Sequence, residues 1–365
     1  MLSRISKWSR NGEYPSEIVL EGAILTVTQE LSENQIDGRD DIWSVAILDD
    51  GKHVVSGGEE RKIRRWRVKD GKEVEKPMTA WSTVRNIAVS QDGKWVVSVT
   101  ESGRVTVWNA ESYEEATEFI GHERWVRAVD ISPDGTRIAT GADDSTVCVW
   151  SLSTGERLLR PLGHEMWVSA VKFSPNGHFI ATATWCWDSV RIYDSQNGNL
   201  LINAPIRISS PYNHSLAWTS NSKQLFAPSR DGNINCVDVS TGRTLSRWRI
   251  HNSNDPTCIV LARNDRFIVA SANSSISLWD TATHEQIGSG FRHTNVVVSM
   301  AISAEYTLVI GGGKTITLQN IHDMLPSSYF DDVSALASIH CARCHPDSES
   351  LFDRCRFSLS VACGA

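Results

Sequence analysis

The sequence predicts an all-β fold made of seven similar units, each of four short antiparallel strands. Three observations carry this. The segments HERWVRAVDISPDGTRIATGADDSTVCVWSLSTGERL from His122 and HEMWVSAVKFSPNGHFIATATWCWDSVRIYDSQNGNLL from His164 repeat one another almost phrase by phrase. An aromatic or equivalent apolar position recurs at Trp66, Trp108, Trp150, Tyr193, Val237, Trp279 and Leu318, in steps of 42, 42, 43, 44, 42 and 39 residues. Self-similarity at that period is the mark of a repeat architecture. Turn pairs at Asp50-Gly51, Asp92-Gly93, Asp134-Gly135, Asn176-Gly177 and Asp231-Gly232 punctuate short β-branched and aromatic runs, which is the pattern of successive hairpins.

The units follow in order. The first, SVAILDDGKHVVSGGEERKIRRWRVKDGKEV, closes on Trp66. Its run from Arg61 to Lys69 holds six cations, yet it lies on a third strand whose side chains alternate between faces, so it does not form a nucleic-acid patch. Arg64 and Arg65 must point to opposite faces, and at least one needs an acidic partner or a route to solvent. The second unit, NIAVSQDGKWVVSVTESGRVTVWNAESYEEA, closes on Trp108, and the third and fourth are the two segments quoted above. The fifth and sixth are SLAWTSNSKQLFAPSRDGNINCVDVSTGRTL and CIVLARNDRFIVASANSSISLWDTATHEQI. The seventh, SMAISAEYTLVIGGGKTITLQNIHDML, contains Gly311 to Gly313 without the helix that a phosphate cradle needs.

Gly121-His122 and Gly163-His164 open units, SPDG spans Ser132 to Gly135, and Trp279-Asp280 closes a unit. On these residues the chain resembles the WD40-repeat family over residues 17–325, and its wording looks like that of the short WD40 proteins common in fungi. The resemblance implies a seven-bladed β-propeller of four-stranded antiparallel blades, the last closed by an N-terminal strand. Packing seven sheets radially buries both apolar faces of each and leaves only short edges. Glu17-Ile-Val-Leu20 is the expected closing strand, after an N-terminal segment at 1–16. Residues 22–42 then hold an insertion of about 15 residues, and 326–365 are expected to form a mobile C-terminal tail.

Lys and Arg total 36 against 43 Asp and Glu, a net charge of −7, which excludes a dedicated binder of nucleic acid or anionic membrane. No apolar stretch approaches the roughly 18 to 20 residues of a bilayer span, and the first residues lack the apolar core of a signal peptide, so the expected location is intracellular, in cytoplasm or nucleus. Cys148, Cys186, Cys236 and Cys258 read as reduced and buried. Cys341-Ala-Arg-Cys344-His345 matches a haem-attachment spacing and, with Cys355, could be counted as zinc ligands. A single CxxC without a second pair is weak, so no metal and no cofactor is assigned.

The resemblance also implies a structural tetrad, complete in the third unit as His122, Thr140, Asp144 and Trp150. It is read as a device that locks blade geometry and not as hydrolase chemistry. The tetrad decays elsewhere, with Glu60, Ser102 and Tyr193 at substituted positions and His293 lacking its Gly. Family binding surfaces lie on the face bearing the unit-opening turns and the second-to-third strand turns. Those positions are Glu59, Glu60, Glu101 and Asp143, beside Trp125, Trp167, Trp185 and Trp187. Acids next to indoles suit a basic peptide. The reading is a non-enzymatic protein-interaction scaffold, a monomer within a larger complex. The alternative is a propeller enzyme with a tail-bound or central cofactor, metal or haem.

Overall fold

The computed structural model describes residues 24–28, 41–185, 190–201, 215–229, 231–251 and 258–330. The chain divides into two compact units, 1–324 and 325–365, and of the second residues 325–330 are described, with a short 3-10 turn at Ser327–Tyr329. The first unit is a seven-bladed propeller whose seven antiparallel sheets follow one another around a ring. Blades 1 to 6 span residues 42–79, 84–120, 126–163, 168–194, 217–249 and 259–292. Blade 7 combines 299–320 with a strand from the N-terminal side. Among the described residues no helix is long and apolar enough to cross a membrane.

The closing strand is Ile24–Thr28, which pairs antiparallel with Thr315–Asn320, Ile24 opposite Gln319 and Thr28 opposite Thr315. It is not Glu17–Leu20, which lies outside the described residues. The run ILTVT is β-branched at four of five positions, a better edge-strand former than EIVL, and it sits inside the stretch read from sequence as an insertion. Residues 29–40 of that insertion also lie outside the described residues. The ring is tied where blade 1 meets blade 7, since Val45 N–H donates to Ser299 Oγ at 3.1 Å and Ile42 N–H to the Gly313 carbonyl at 2.7 Å.

Each blade places its recurring third-strand residue opposite a buried aliphatic one. The pairs are Val54 with Trp66, Val96 with Trp108, Ile138 with Trp150, Ile180 with Tyr193, Leu225 with Val237, Ile268 with Trp279 and Val309 with Leu318. The aliphatic partners are at most 1% exposed, so the repeating phase is the phase of the core. Blade-to-blade packing needs small residues on the second strands. A Cβ on Gly141 would come within 2.5 Å of Val168 Cγ1 in the next blade. The opening Gly121 is required for a different reason, because a Cβ there would meet the Trp150 ring at 2.2 Å.

Arg64 and Arg65 do take opposite faces, and both find partners. Arg64 donates to Glu60 at 2.5 and 2.8 Å and to Glu73 at 2.6 Å. Arg65 donates to the Ala110 carbonyl and to Tyr113 Oη in blade 2.

Candidate functional site

The first strands of blades 1 to 4 share one irregularity. Their registers shift between Ile42 and Ser44, Val84 and Asn86, Val126 and Ala128, and Val168 and Ala170. A bulge re-aims the side chain it inserts. The bulged residues are Trp43, Arg85, Arg127 and Ser169, each 42 positions after the last. A second row stands at the same face, immediately after the second strands: Glu59, Glu101, Asp143 and Trp185, again 42 apart. Its backbone N–H groups donate to the carbonyls of Asp41, Thr83, Trp125 and Trp167 at 3.0, 3.2, 2.9 and 2.9 Å, which fixes the second row beside the unit-opening turns. We call this the upper face.

The two rows build an arc in which indoles and guanidiniums alternate. The Arg85 guanidinium carbon lies 4.5 Å from the Trp43 ring centre and 4.8 Å from that of Trp125. Arg127 lies 5.5 Å from Trp125, 5.4 Å from Trp167 and 6.0 Å from Trp185. Trp167 and Trp185 meet at a tilt, centres 6.1 Å apart. Behind the arc, Arg85 Nη2 donates to Glu101, and Arg127 grips Asp143 with Nε and Nη2. Further out, Arg104 covers Trp81 at 4.8 Å and donates to Glu118. Each stacked cation is therefore held twice, by a π face and by a carboxylate, which makes the arc stiff.

Three of the acids expected on this face have cationic partners. Glu60, Glu101 and Asp143 are matched by Arg64, Arg85 and Arg127. The indoles of Trp125, Trp167 and Trp185 each carry at least one of the protein's own arginines. Trp125 and Trp167 are 40% and 36% exposed, and Trp185 is half-buried against Trp167. Trp187 lies outside the described residues, as do Cys186 and the Cys341, Cys344, His345 and Cys355 set. Trp43, Arg85, Arg127 and Trp81 were not singled out from sequence. The signal was present in the 42-residue phase, which marks the first three as one ring position, but that position lies outside the family motif.

The tetrad residues form one network in blade 3. His122 bonds Asp144 Oδ2 through Nδ1 at 2.8 Å and Thr140 Oγ1 through Nε2 at 2.7 Å, and Trp150 Nε1–H donates to the same hydroxyl at 2.8 Å. Burial opposes charge on His122, but the hydrogen bond to Asp144, aided by Cys148 and by the Asp144 charge, holds its pKa at about 9. Burial raises the Asp144 pKa, yet His122 and Thr146 bring it down to about 2. Blade 4 uses the opposite polarity. His164 Nδ1–H donates to the Leu162 carbonyl at 3.1 Å, leaving Nε2 to accept from Thr182 at 2.9 Å, and burial with no carboxylate partner lowers the pKa to about 4.

The two histidines thus give opposite pH limbs. His164, depressed in the fold, contributes stability that is complete above pH 6.5 and lost as pH falls towards 4. His122, raised in the fold, contributes stability that is complete below pH 6.5 and lost as pH rises through 9. Urea unfolding of the full chain should show an optimum near pH 6.5. Between pH 7.5 and 5 the wild type should lose about 2 kcal/mol more than His164→Gln does. Parallel acid limbs in the two proteins would refute the neutral assignment of His164.

The IFT122 first beta-propeller model matches residues 83–356, which is 274 of the 365 residues. The chain belongs to this family. A WD domain, G-beta repeat model matches residues 30–67, so the WD40 character extends into blade 1. None of the curated proteins matches the chain at a significant level. Within the IFT122 first beta-propeller match lie blades 2 to 6 entire and the 299–320 strands of blade 7, hence Arg85, Arg127 and the tetrad.

Proposed function

We infer that the chain is a non-enzymatic protein-interaction scaffold that offers the upper face of its propeller to a segment of a partner protein within a larger complex. The observation that carries the reading is the exposure of three indoles on a stiff mount: Trp81 at 62%, Trp125 at 40% and Trp167 at 36%. Large rigid aromatics that stay partly in water are the residues that dominate association when a partner covers them. WD40-type propellers are generally protein-interaction scaffolds, which agrees. A partner rich in lysine or arginine would have to displace Arg85 or Arg127, so a basic peptide is no longer the favoured occupant.

The histidine-bearing tetrad is unsuited to catalysis, because Thr140 is wholly buried and its hydroxyl is enclosed by Trp150 and His122. Among the described residues no group of three or more His, Cys, Asp or Glu could hold a metal. Cys148, Cys236 and Cys258 are buried free thiols, which suits the reducing interior of a cell.

The test is affinity capture with quantitative mass spectrometry, comparing wild type with the Trp125→Ala, Trp167→Ala double variant. Removing the two stacked indoles should cost about 1 kcal/mol of stability, and it should reduce capture of the specific partners about tenfold or more. Undiminished capture of every partner by a folded double variant would remove the upper face from the proposal.

A further inference from the structure

The arc ends on a cavity. At the upper mouth of the central channel a pocket of about 300 Å³ is lined by Trp43, Arg85, Arg127 and Trp185 on one side and by Ser215, Cys258 and the 296–300 segment on the other. On the first side, which also holds Asn86, hydrogen-bond donors predominate. Trp43 Nε1–H and Arg85 Nε–H are buried and have no partner. Among the described residues, Arg85 donates to Glu101 through Nη2, and Arg127 to Asp143 through Nε and Nη2, leaving Nη1 of both uncommitted.

No described side chain of the pocket answers the Trp43 and Arg85 donors. Ser215 Oγ accepts from Ile259 N–H at 2.8 Å, Ser299 Oγ from Val45 N–H at 3.1 Å, and Cys258 Sγ donates to the Val298 carbonyl at 3.1 Å. Glu101 and Asp143 are not among the lining residues, so two fixed guanidiniums face the cavity while their carboxylates stand behind them. A buried donor without a partner destabilises the site, and an acceptor entering the pocket would relieve that.

We propose that this channel mouth is a carboxylate-binding subsite, which receives the side chain of an aspartate or glutamate from the partner segment that the upper face docks. The proposal rests on the scaffold reading above and names the chemistry of its partner. A carboxylate offers two oxygens to the free edges of Arg85 and Arg127 and to the Trp43 indole N–H. Charge-assisted bonds of this kind are stronger than those a neutral amide would form, the more so in a partly dehydrated mouth. The apolar wall of Val296, Val297 and Met300 would hold the methylene stem. A lysine or arginine in the same place would meet two like-charged guanidiniums.

The test selects random 12-residue peptides, displayed on phage, against the full-length protein. Every peptide whose capture depends on Trp125 and Trp167 is then resynthesised with acetylated and amidated ends, so that the only carboxylates are on side chains. Most such peptides should share an Asp or Glu. Replacing that residue with Asn or Gln, which leaves the protein untouched, should weaken binding about tenfold or more, as should Arg85→Gln in the protein. Trp-dependent peptides with no shared acid, or with one whose amide replacement changes nothing, would overturn the subsite and leave the scaffold reading standing. Failure to select any Trp-dependent peptide would overturn both.

Discussion

Replacing Trp150 with alanine is expected to lower the unfolding free energy of the full chain by about 4 to 5 kcal/mol. The indole is 3% exposed, packs against Phe119 with ring centres 4.9 Å apart, and lies under the Arg157 guanidinium at 4.9 Å. Its N–H is one of two donors to Thr140. Alanine removes both the apolar volume and that donor, and the space cannot close, because Gly121 on one side and Ile138 in the paired strand are fixed by the blade. Trp150→Phe keeps most of the volume and loses the hydrogen bond, so about 1 to 2 kcal/mol is expected. Denaturant melts read both values. Equal, small effects would show that the tetrad does not hold blade 3 together.

Substituting Arg127 with methionine should cost about 2 to 3 kcal/mol and rearrange the arc. The Asp143 side chain, 11% exposed, would lose its cation, and Trp125, Trp167 and Trp185 would lose the guanidinium that spaces them. Adding Asp143→Leu should recover a good part of the stability, since an unpaired, largely buried carboxylate is the costly remnant and not the missing bond itself. Tryptophan emission should shift in the single variant and stay shifted in the double one. A single variant with unchanged stability and emission would mean that Arg127 is merely solvated.

The ring of seven blades was legible because its signal is repeated. One aromatic phase from Trp66 to Leu318 marks the buried third-strand position in every blade, whatever residue occupies it. The closing strand was misplaced for the opposite reason. It occurs once, with no second copy to set its register, and ILTVT differs from the expected EIVL only in composition. The tetrad could be read residue by residue in blade 3, where His122, Thr140, Asp144 and Trp150 match the family pattern. The opposite protonation of His164 could not, because it turns on whether Nδ1 faces a carboxylate or the Leu162 carbonyl.

For the site, sequence placed Glu101, Asp143, Trp125, Trp167 and Trp185 on one face but not their partners. Arg85 and Arg127 sit 16 residues before the acids they bind, on strands that look like ordinary blade starts. Only the bulge at that position turns them towards the channel. Reading the acids without the arginines made the face look anionic. With them it is balanced, aromatic and, at its centre, rich in unanswered donors.

The central claim is that function resides in the exposed indoles of the upper face and not in the buried frame. The most direct measurement compares partner capture by the Trp125→Ala, Trp167→Ala double variant and by Trp150→Phe, the two expected to be similarly destabilised, with each protein at equal folded concentration. The account predicts that the double variant loses the partner while Trp150→Phe keeps it at wild-type strength. Retention by the double variant, or equal loss in both, would contradict it.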